Sequence, residues 1–430
     1  MVSSDDTAVP DAVEERNQTR RSLKHFNRNM LLRSVFDTAC APGSFLFVAF
    51  VLALGVPGES MGRVAAMASL ACIAQVLTLP LAQRAASRKR FIIAAGLLEP
   101  LAVAVAILGV PLLPPAWRLT GLMIAVFSAA AFVHMTRPGM DDWLYSTIPG
   151  ALRGRFLGRR IQMLGVVSIT ATLSAGWLGD WLGHGGPSGL ACVLAGATLF
   201  GVLAILELRH VREIQPEAGN PVSLLAVPDV LRVKPYRRFV LGYILFNIPF
   251  LFGLPFYQVF NQGVVHMTTS QIASMSVGYI LAKMVVARRL GRLVDRWGVR
   301  RFALLCGPCY ALFFLGLCTA GPGRSWPVVL SWGLVGAVDA AYAVAYQAGL
   351  YAVVPERGQR STFFAVANLA GLGFYSLGAL LAEALIRRLG GTAVALGPLV
   401  LTRYNILYAG CGLLMFGTTF AGLLWPRRAA

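Results

Sequence analysis

Charge is what this sequence has least of. Only 13% of its 430 residues are Asp, Glu, Lys or Arg, and just 19 are acidic. Soluble domains carry about 25% charged residues, so a globular chain with an ordinary hydrated surface is excluded. No GxxxxGK[ST] loop is present, which removes ATP hydrolysis as an energy source. The 5 histidines are scattered along the chain, so neither a metal site nor a cofactor is expected. The 7 cysteines all lie in apolar stretches. One pair, Cys306-Gly-Pro-Cys309, spells a redox motif, but that chemistry needs a partly exposed cysteine at a helix N-terminus after a strand. Here the pair sits inside an apolar run, so no enzyme activity is assigned to it.

What the chain has instead is hydrophobicity. Apolar residues make up 57% and the mean hydropathy is +0.66. Runs of about 20 apolar residues are long enough to cross a bilayer as helices. We read twelve, at about 30–55, 62–80, 91–110, 118–146, 158–179 and 188–208, then 239–260, 268–287, 302–320, 326–351, 362–386 and 402–425. The expected domains are a disordered tail (1–28), a first bundle (29–208), a linker (209–237), a second bundle (238–425) and a short tail (426–430). Residues 1–28 lack the apolar core of a signal peptide. In the linker, Pro221–Val233 carries apolar residues at helical spacing, which predicts an amphipathic helix along the membrane surface.

The net charge of +19 would fit nucleic acid only if it formed one patch. It does not, and no nucleic-acid partner is expected. Of the 38 Lys and Arg, 30 fall in the tails, the linker and the loops after spans 2, 4, 8 and 10; 6 fall on the opposite side, and Arg137 and Lys283 lie inside spans. This asymmetry places both termini in the cytoplasm. Lys283 is expected to snorkel to that face.

Between spans 8 and 9 the chain reads Gly291-Arg292-Leu-Val-Asp295-Arg296-Trp-Gly298-Val-Arg300-Arg301. The two glycines permit a tight reversal, and Asp295 stands alone among cations. The pattern resembles the signature loop of the major facilitator superfamily of transporters, which joins helices 2 and 3 and recurs between helices 8 and 9. The earlier copy, Gln83-Arg84-Ala-Ala-Ser-Arg88-Lys89-Arg90-Phe91, lies about 212 positions upstream. It departs from the family pattern: Gln83 replaces the acid, and Leu79 and Ala86 replace the glycines. Likewise Ile148-Pro149 and Val354-Pro355 are 206 positions apart. Two paired loops at similar offsets imply two homologous halves, with a substrate site between them near mid-membrane.

Ionisable groups inside a membrane are costly and point to function. Asp339 lies about 13 residues into span 10, and Tyr342, Tyr346 and Gln347 continue its face at helical spacing. The resemblance places helices 1, 4, 7 and 10 around the central cavity, so this face would meet solute and Asp339 could carry a coupling proton. In span 4, Arg137 and Asp141 are spaced to pair as a charge relay; in span 1, Arg33 and Asp37 are spaced alike, and Asp37 is a second candidate proton site. Span 7 aligns Tyr243, Asn247, Phe250, Leu254, Gln258 and Asn261 on one stripe, which Pro249 and Pro255 can bend. Glu99 and Glu383 are expected to be structural. Span 5 presents Ser168, Thr172, Gly176 and Gly179 for close helix contact.

The reading is an all-α membrane protein with twelve helices in two pseudo-symmetric six-helix bundles. Its expected function is secondary active transport of a small organic solute by alternating access, coupled to H+ or Na+, as a monomer in a bacterial inner membrane. The alternative is a non-transporting membrane sensor or assembly factor that retains the fold. Reporter fusions test the topology: alkaline phosphatase should be inactive at either terminus and active when fused after Gly186, and the reverse pattern would invert the orientation.

Overall fold

The computed structural model describes residues 8–75, 87–148, 153–213, 227–354, 360–396 and 399–426, without the side chains of 8–16, 287–295 and a few others. The first half comprises α1 (Ala8–Cys40), α2 (Phe45–Ala53), α3 (Met61–Leu70), α4 (Arg88–Gly109), α5 (Pro115–Thr147), α6 (Arg153–Gly183) and α7 (Pro187–Glu207). After α8 (Val227–Arg232), the second half comprises α9 (Lys234–Gly253), α10 (Tyr257–Gly263), α11 (Thr269–Trp297), α12 (Val299–Cys318), α13 (Trp326–Val353), α14 (Arg360–Leu389) and α15 (Arg403–Thr419). Among the described residues, 9 helical segments are long and apolar enough to span a bilayer. The expected spans 2, 5 and 8 fall on α3, whose continuation lies outside the described residues, and on α6 and α11, which are long but outside those 9. The count of twelve depends on these three.

The first helix of each half is broken at matching places. α1 stops at Cys40 before Pro42-Gly43, and α2 restarts with the Ser44 hydroxyl accepting the Phe47 N–H at 3.2 Å. In the second half α9 yields to a tight turn at Leu254–Phe256 around Pro255 before α10. Proline lacks the N–H that would continue either helix. Pro255 lies 213 positions after Pro42, close to the offset of the paired loops.

The two halves meet along two seams, α3 against α14 and α6 against α11. At Gly176 a Cβ would come 2.4 Å from the Ala273 Cβ, so the α6–α11 approach requires glycine there. Among the described residues, the charged bonds between the halves gather at one end, opposite the termini. Asp180 accepts from the backbone N–H of Thr269 (2.8 Å) and Ser270 (3.0 Å), capping α11 across the seam. Buried Glu383 accepts from the backbone N–H of Arg63 at 2.7 Å and pairs with Arg387 at 2.8 Å on its own helix. The Arg63 Nε also lies 2.7 Å from this carboxylate but is poorly aimed, which makes it a charge contact rather than a hydrogen bond. Arg403 pairs with Glu59 at 2.8 Å. We call this end the latch.

Several expectations need correction. Residues 8–28 are not a disordered tail: α1 begins at Ala8, and Phe26 and Ser22 are buried on the bundle. Phe26 packs edge-on against Trp143 (5.4 Å), whose indole N–H donates to the Arg212 carbonyl at 3.0 Å. An apolar anchor of this kind overrides the polar composition of the segment. The reversal between spans 8 and 9 uses one glycine, not two. α11 runs through Gly291 and Asp295 to Trp297, and the chain turns at Gly298, whose φ of 81° favours glycine. Of the expected linker helix, the described residues show Val227–Arg232 as helical, and 214–226 lie outside the described residues. Outside the bundle, Ala393–Leu396 pairs antiparallel with Leu399–Thr402, a hairpin absent from the all-helical reading. The loop residues Gln83, Pro149 and Pro355 lie outside the described residues.

Glu383 supplies the latch's buried charge. Glu383→Ala should cost about 1–3 kcal/mol, the low side of a broken buried pair because both arginines keep some water. The check is the thermal unfolding of the purified chain, in which Glu383→Gln should lose less than the alanine variant.

Candidate functional site

A cavity of about 1100 Å³ opens beside α9, α13 and α14. Along α13 it runs from Trp332 to Tyr351, roughly 28 Å at 1.5 Å per residue. It therefore reaches from beneath the latch to the end that carries the termini, where Tyr351 is exposed. From the first half only Asp141 lines it, among the described residues.

The walls are aromatic. Tyr342 is backed by buried Phe246 (5.0 Å), Tyr243 lies 4.5 Å from Tyr346, and Phe250 meets Tyr310 edge-on at 4.7 Å. At the latch end, Trp332 stacks between Tyr257 (4.5 Å) and Tyr279 (5.1 Å). Offset and edge-on packing of this kind holds each ring in place. Asn247 donates to the Tyr342 hydroxyl at 2.6 Å and to the Tyr243 carbonyl at 2.8 Å, which fixes its amide at the cavity wall.

Asp339 lines this cavity half-way along α13, and it is not alone. Lys283 on α11 reaches it at 2.7 Å, the Tyr279 hydroxyl donates to the same oxygen at 2.5 Å, and the Tyr310 hydroxyl sits 3.4 Å from the other. Lys283 therefore does not snorkel to the surface. Away from water, an ammonium gains more from a carboxylate on the neighbouring helix than from stretching to a distant interface. The pair is not sealed off, with side-chain exposures of 42% for Lys283 and 33% for Asp339.

The first half holds a smaller pocket of about 170 Å³ at the matching helix break, lined by Ala41, Pro42, Asp37, Glu99 and His134 among others. Arg33 grips Glu99 with both terminal nitrogens and donates from Nε to Asp37 at 2.8 Å. Such a fork-to-carboxylate pair is the strong form of the interaction. Glu99 is buried, while the Asp37 side chain is 51% exposed.

Of the residues singled out from sequence, Asp339, Tyr342, Tyr346, Gln347, Tyr243, Asn247 and Asp141 line the large cavity. Asp37 belongs to the smaller pocket, and Arg137 and Gln258 line neither. Arg137 and Asp141 are both exposed and make no ion pair with each other among the described residues. The Gln258 Oε1 and both amide atoms of fully buried Asn261 lack hydrogen-bond partners. Sequence reasoning missed Lys283, Tyr279, Tyr310 and Trp332. The signal was there for Lys283: Lys283 and Asp339 are each the only charged residue of their span, so neither could find a partner on its own helix.

No protein-family model matches the chain, and no curated protein matches it. Solved structures do. A point mutant of the nucleoside transporter NupG superposes with a TM-score of 0.73 at 13% identity, over 93% of this chain and 98% of that one. A bacterial homologue of the lysosomal transporter Spinster, inward-facing and unoccupied, gives 0.59 at 14% identity, covering 95% of both. A POT family transporter bound to a thioalcohol-conjugated peptide gives 0.64 at 13%, over 93% and 95%. The chain has the major facilitator fold. These likenesses span both bundles and are all to transporters, and the chain is a multi-pass membrane protein.

The Lys283–Asp339 pair can be tested by stability. Lys283→Met alone should destabilise by about 1–3 kcal/mol because Asp339 loses its cation. Adding Asp339→Asn should return most of that loss, and a double-mutant cycle on thermal unfolding measures the coupling.

Proposed function

We propose that the protein is a secondary transporter that moves a small organic solute by alternating access, with the 1100 Å³ cavity as its solute chamber. The supporting observation is the lining: flat aromatic faces from Tyr243, Phe250, Tyr342 and Tyr346 beside the polar groups of Asn247, Gln347 and Asp339. Aromatic walls with a few placed hydrogen-bonding groups suit a ligand with a flat ring and a polar edge. The nucleosides carried by NupG are of that class. With Lys283 neutralising Asp339, the chamber presents little net charge and favours a neutral solute.

With cytoplasmic termini, the latched end faces outward and the cavity opens inward. The half-bundles 29–208 and 238–425 rock against each other as the α3–α14 and α6–α11 seams open at the latch. Coupling acts at the Lys283–Asp339 pair. A proton on Asp339 releases Lys283 and frees α11 from α13, so the charge state of the pair and the position of two helices change together. Sodium at the same carboxylate would do this less well, because an ammonium already stands there.

Reconstitution into liposomes containing a pH-sensitive dye, with a panel of nucleosides and other ring-bearing solutes outside, tests this reading. Solute uptake should carry protons, and Asp339→Asn should lower proton-linked uptake by at least tenfold while solute exchange survives. Uptake that follows sodium instead, or no flux across the panel, would contradict it.

A further inference from the structure

We propose that His25, Glu207 and His210 form a binding site for a transition-metal ion, best suited to Zn²⁺, at the end of the first bundle that carries the N-terminus. Their ligand atoms all lie within 4.8 Å of one another. His25 Nδ1 sits 2.6 Å from a Glu207 carboxylate oxygen, and the two imidazoles stack with centroids 4.9 Å apart. The residues come from separate parts of the chain: His25 from the docked N-terminal helix, Glu207 from the last turn of α7, and His210 from the tight turn that follows. The expectation of no metal site overlooked the Glu207-x-x-His210 spacing, and the separation of 182 residues between His25 and Glu207 hid the third ligand.

The support beneath the three is rigid. Phe26 (1% exposed), Leu208 (0%) and Val211 (0%) pack together under them. Asn29 donates to the Ala204 carbonyl at 2.6 Å, and Ser22 accepts from the Arg212 N–H at 3.2 Å. Lys89 donates from Nζ to the carbonyls of Arg209 (2.6 Å) and Val211 (2.7 Å). A site held by such contacts has little ordering left to do when the ion arrives.

Two imidazole nitrogens and one carboxylate oxygen are the donors that zinc takes, with a fourth position left for water. His25 and Glu207 are half-buried and His210 is exposed, so the open position faces solvent. The ion takes the place of the hydrogen bond between His25 Nδ1 and Glu207, with the two side chains parting slightly to admit it. Opposing it is Arg28, whose guanidinium is 3.9 Å from the other Glu207 oxygen. The site lies where the segment joining the halves leaves the first bundle, so a bound ion ties the N-terminal helix to that exit.

The test uses the purified full-length chain in detergent, titrated with Zn²⁺ alone by calorimetry and with Co²⁺ by its visible absorption. The wild type should bind one equivalent and show the intense band of a four-coordinate cobalt site. His25→Gln and His210→Ala should each weaken binding at least tenfold. Arg28→Ala, which removes a cation and no ligand, should tighten it by roughly tenfold. Absence of uptake by the folded wild type overturns the proposal and leaves His25–Glu207 a simple hydrogen bond. Binding that survives both histidine variants, or vanishes on alkylating the free cysteines, overturns it as well.

Discussion

A charge held away from water must have a partner. This constraint, more than hydrophobic packing, organises the interior of the protein. The bundle is apolar enough that most of its surface can face lipid, so its few ionisable groups decide where helices sit. Arg33 ties α1 to α4 through Glu99, Lys283 ties α11 to α13 through Asp339, and Glu383 ties α14 to α3 through Arg63. Each link joins two helices that nothing in local sequence would bring together. The cost of stranding either partner makes each pairing specific.

The second organising feature is the break in the first helix of each half. Ending a helix inside a membrane exposes backbone groups that must be satisfied, which is tolerated only against protein or a cavity. The break at Pro42 borders the small pocket and the turn at Leu254–Phe256 borders the large one. The two halves thus share one device with different volumes. One pocket is small and lined by the Arg33–Glu99–Asp37 cluster, and the other is wide and aromatic.

How much was legible depended on whether the deciding physics was local. Helix positions were, because a run of apolar residues needs no partner to be recognised. The second-half face that lines the large cavity was too, since Asp339, Tyr342, Tyr346 and Gln347 recur at helical spacing on a single element. The N-terminal helix was not: its polar composition reads as a tail, and partners far along the chain hold it to the bundle, Trp143 against Phe26, Arg212 on Ser22 and Ala204 on Asn29. Lys283 failed for the same reason. Snorkelling is a one-helix argument, whereas its actual partner lies 56 residues away on another helix. The reversal at Gly298 illustrates a third limit. Two glycines in a motif look equivalent, yet only the one with positive φ turns the chain.

The central claim is that the aromatic cavity is the solute chamber and that the Lys283–Asp339 pair lies at its wall. Cryo-electron microscopy of the protein in lipid nanodiscs, saturated with a transported ring-bearing solute, tests it most directly. The account predicts solute density between Tyr342 and Tyr346 on one side and Asn247 on the other, within reach of Asp339. A cavity filled by lipid chains, or solute density outside the space between the two bundles, would contradict it.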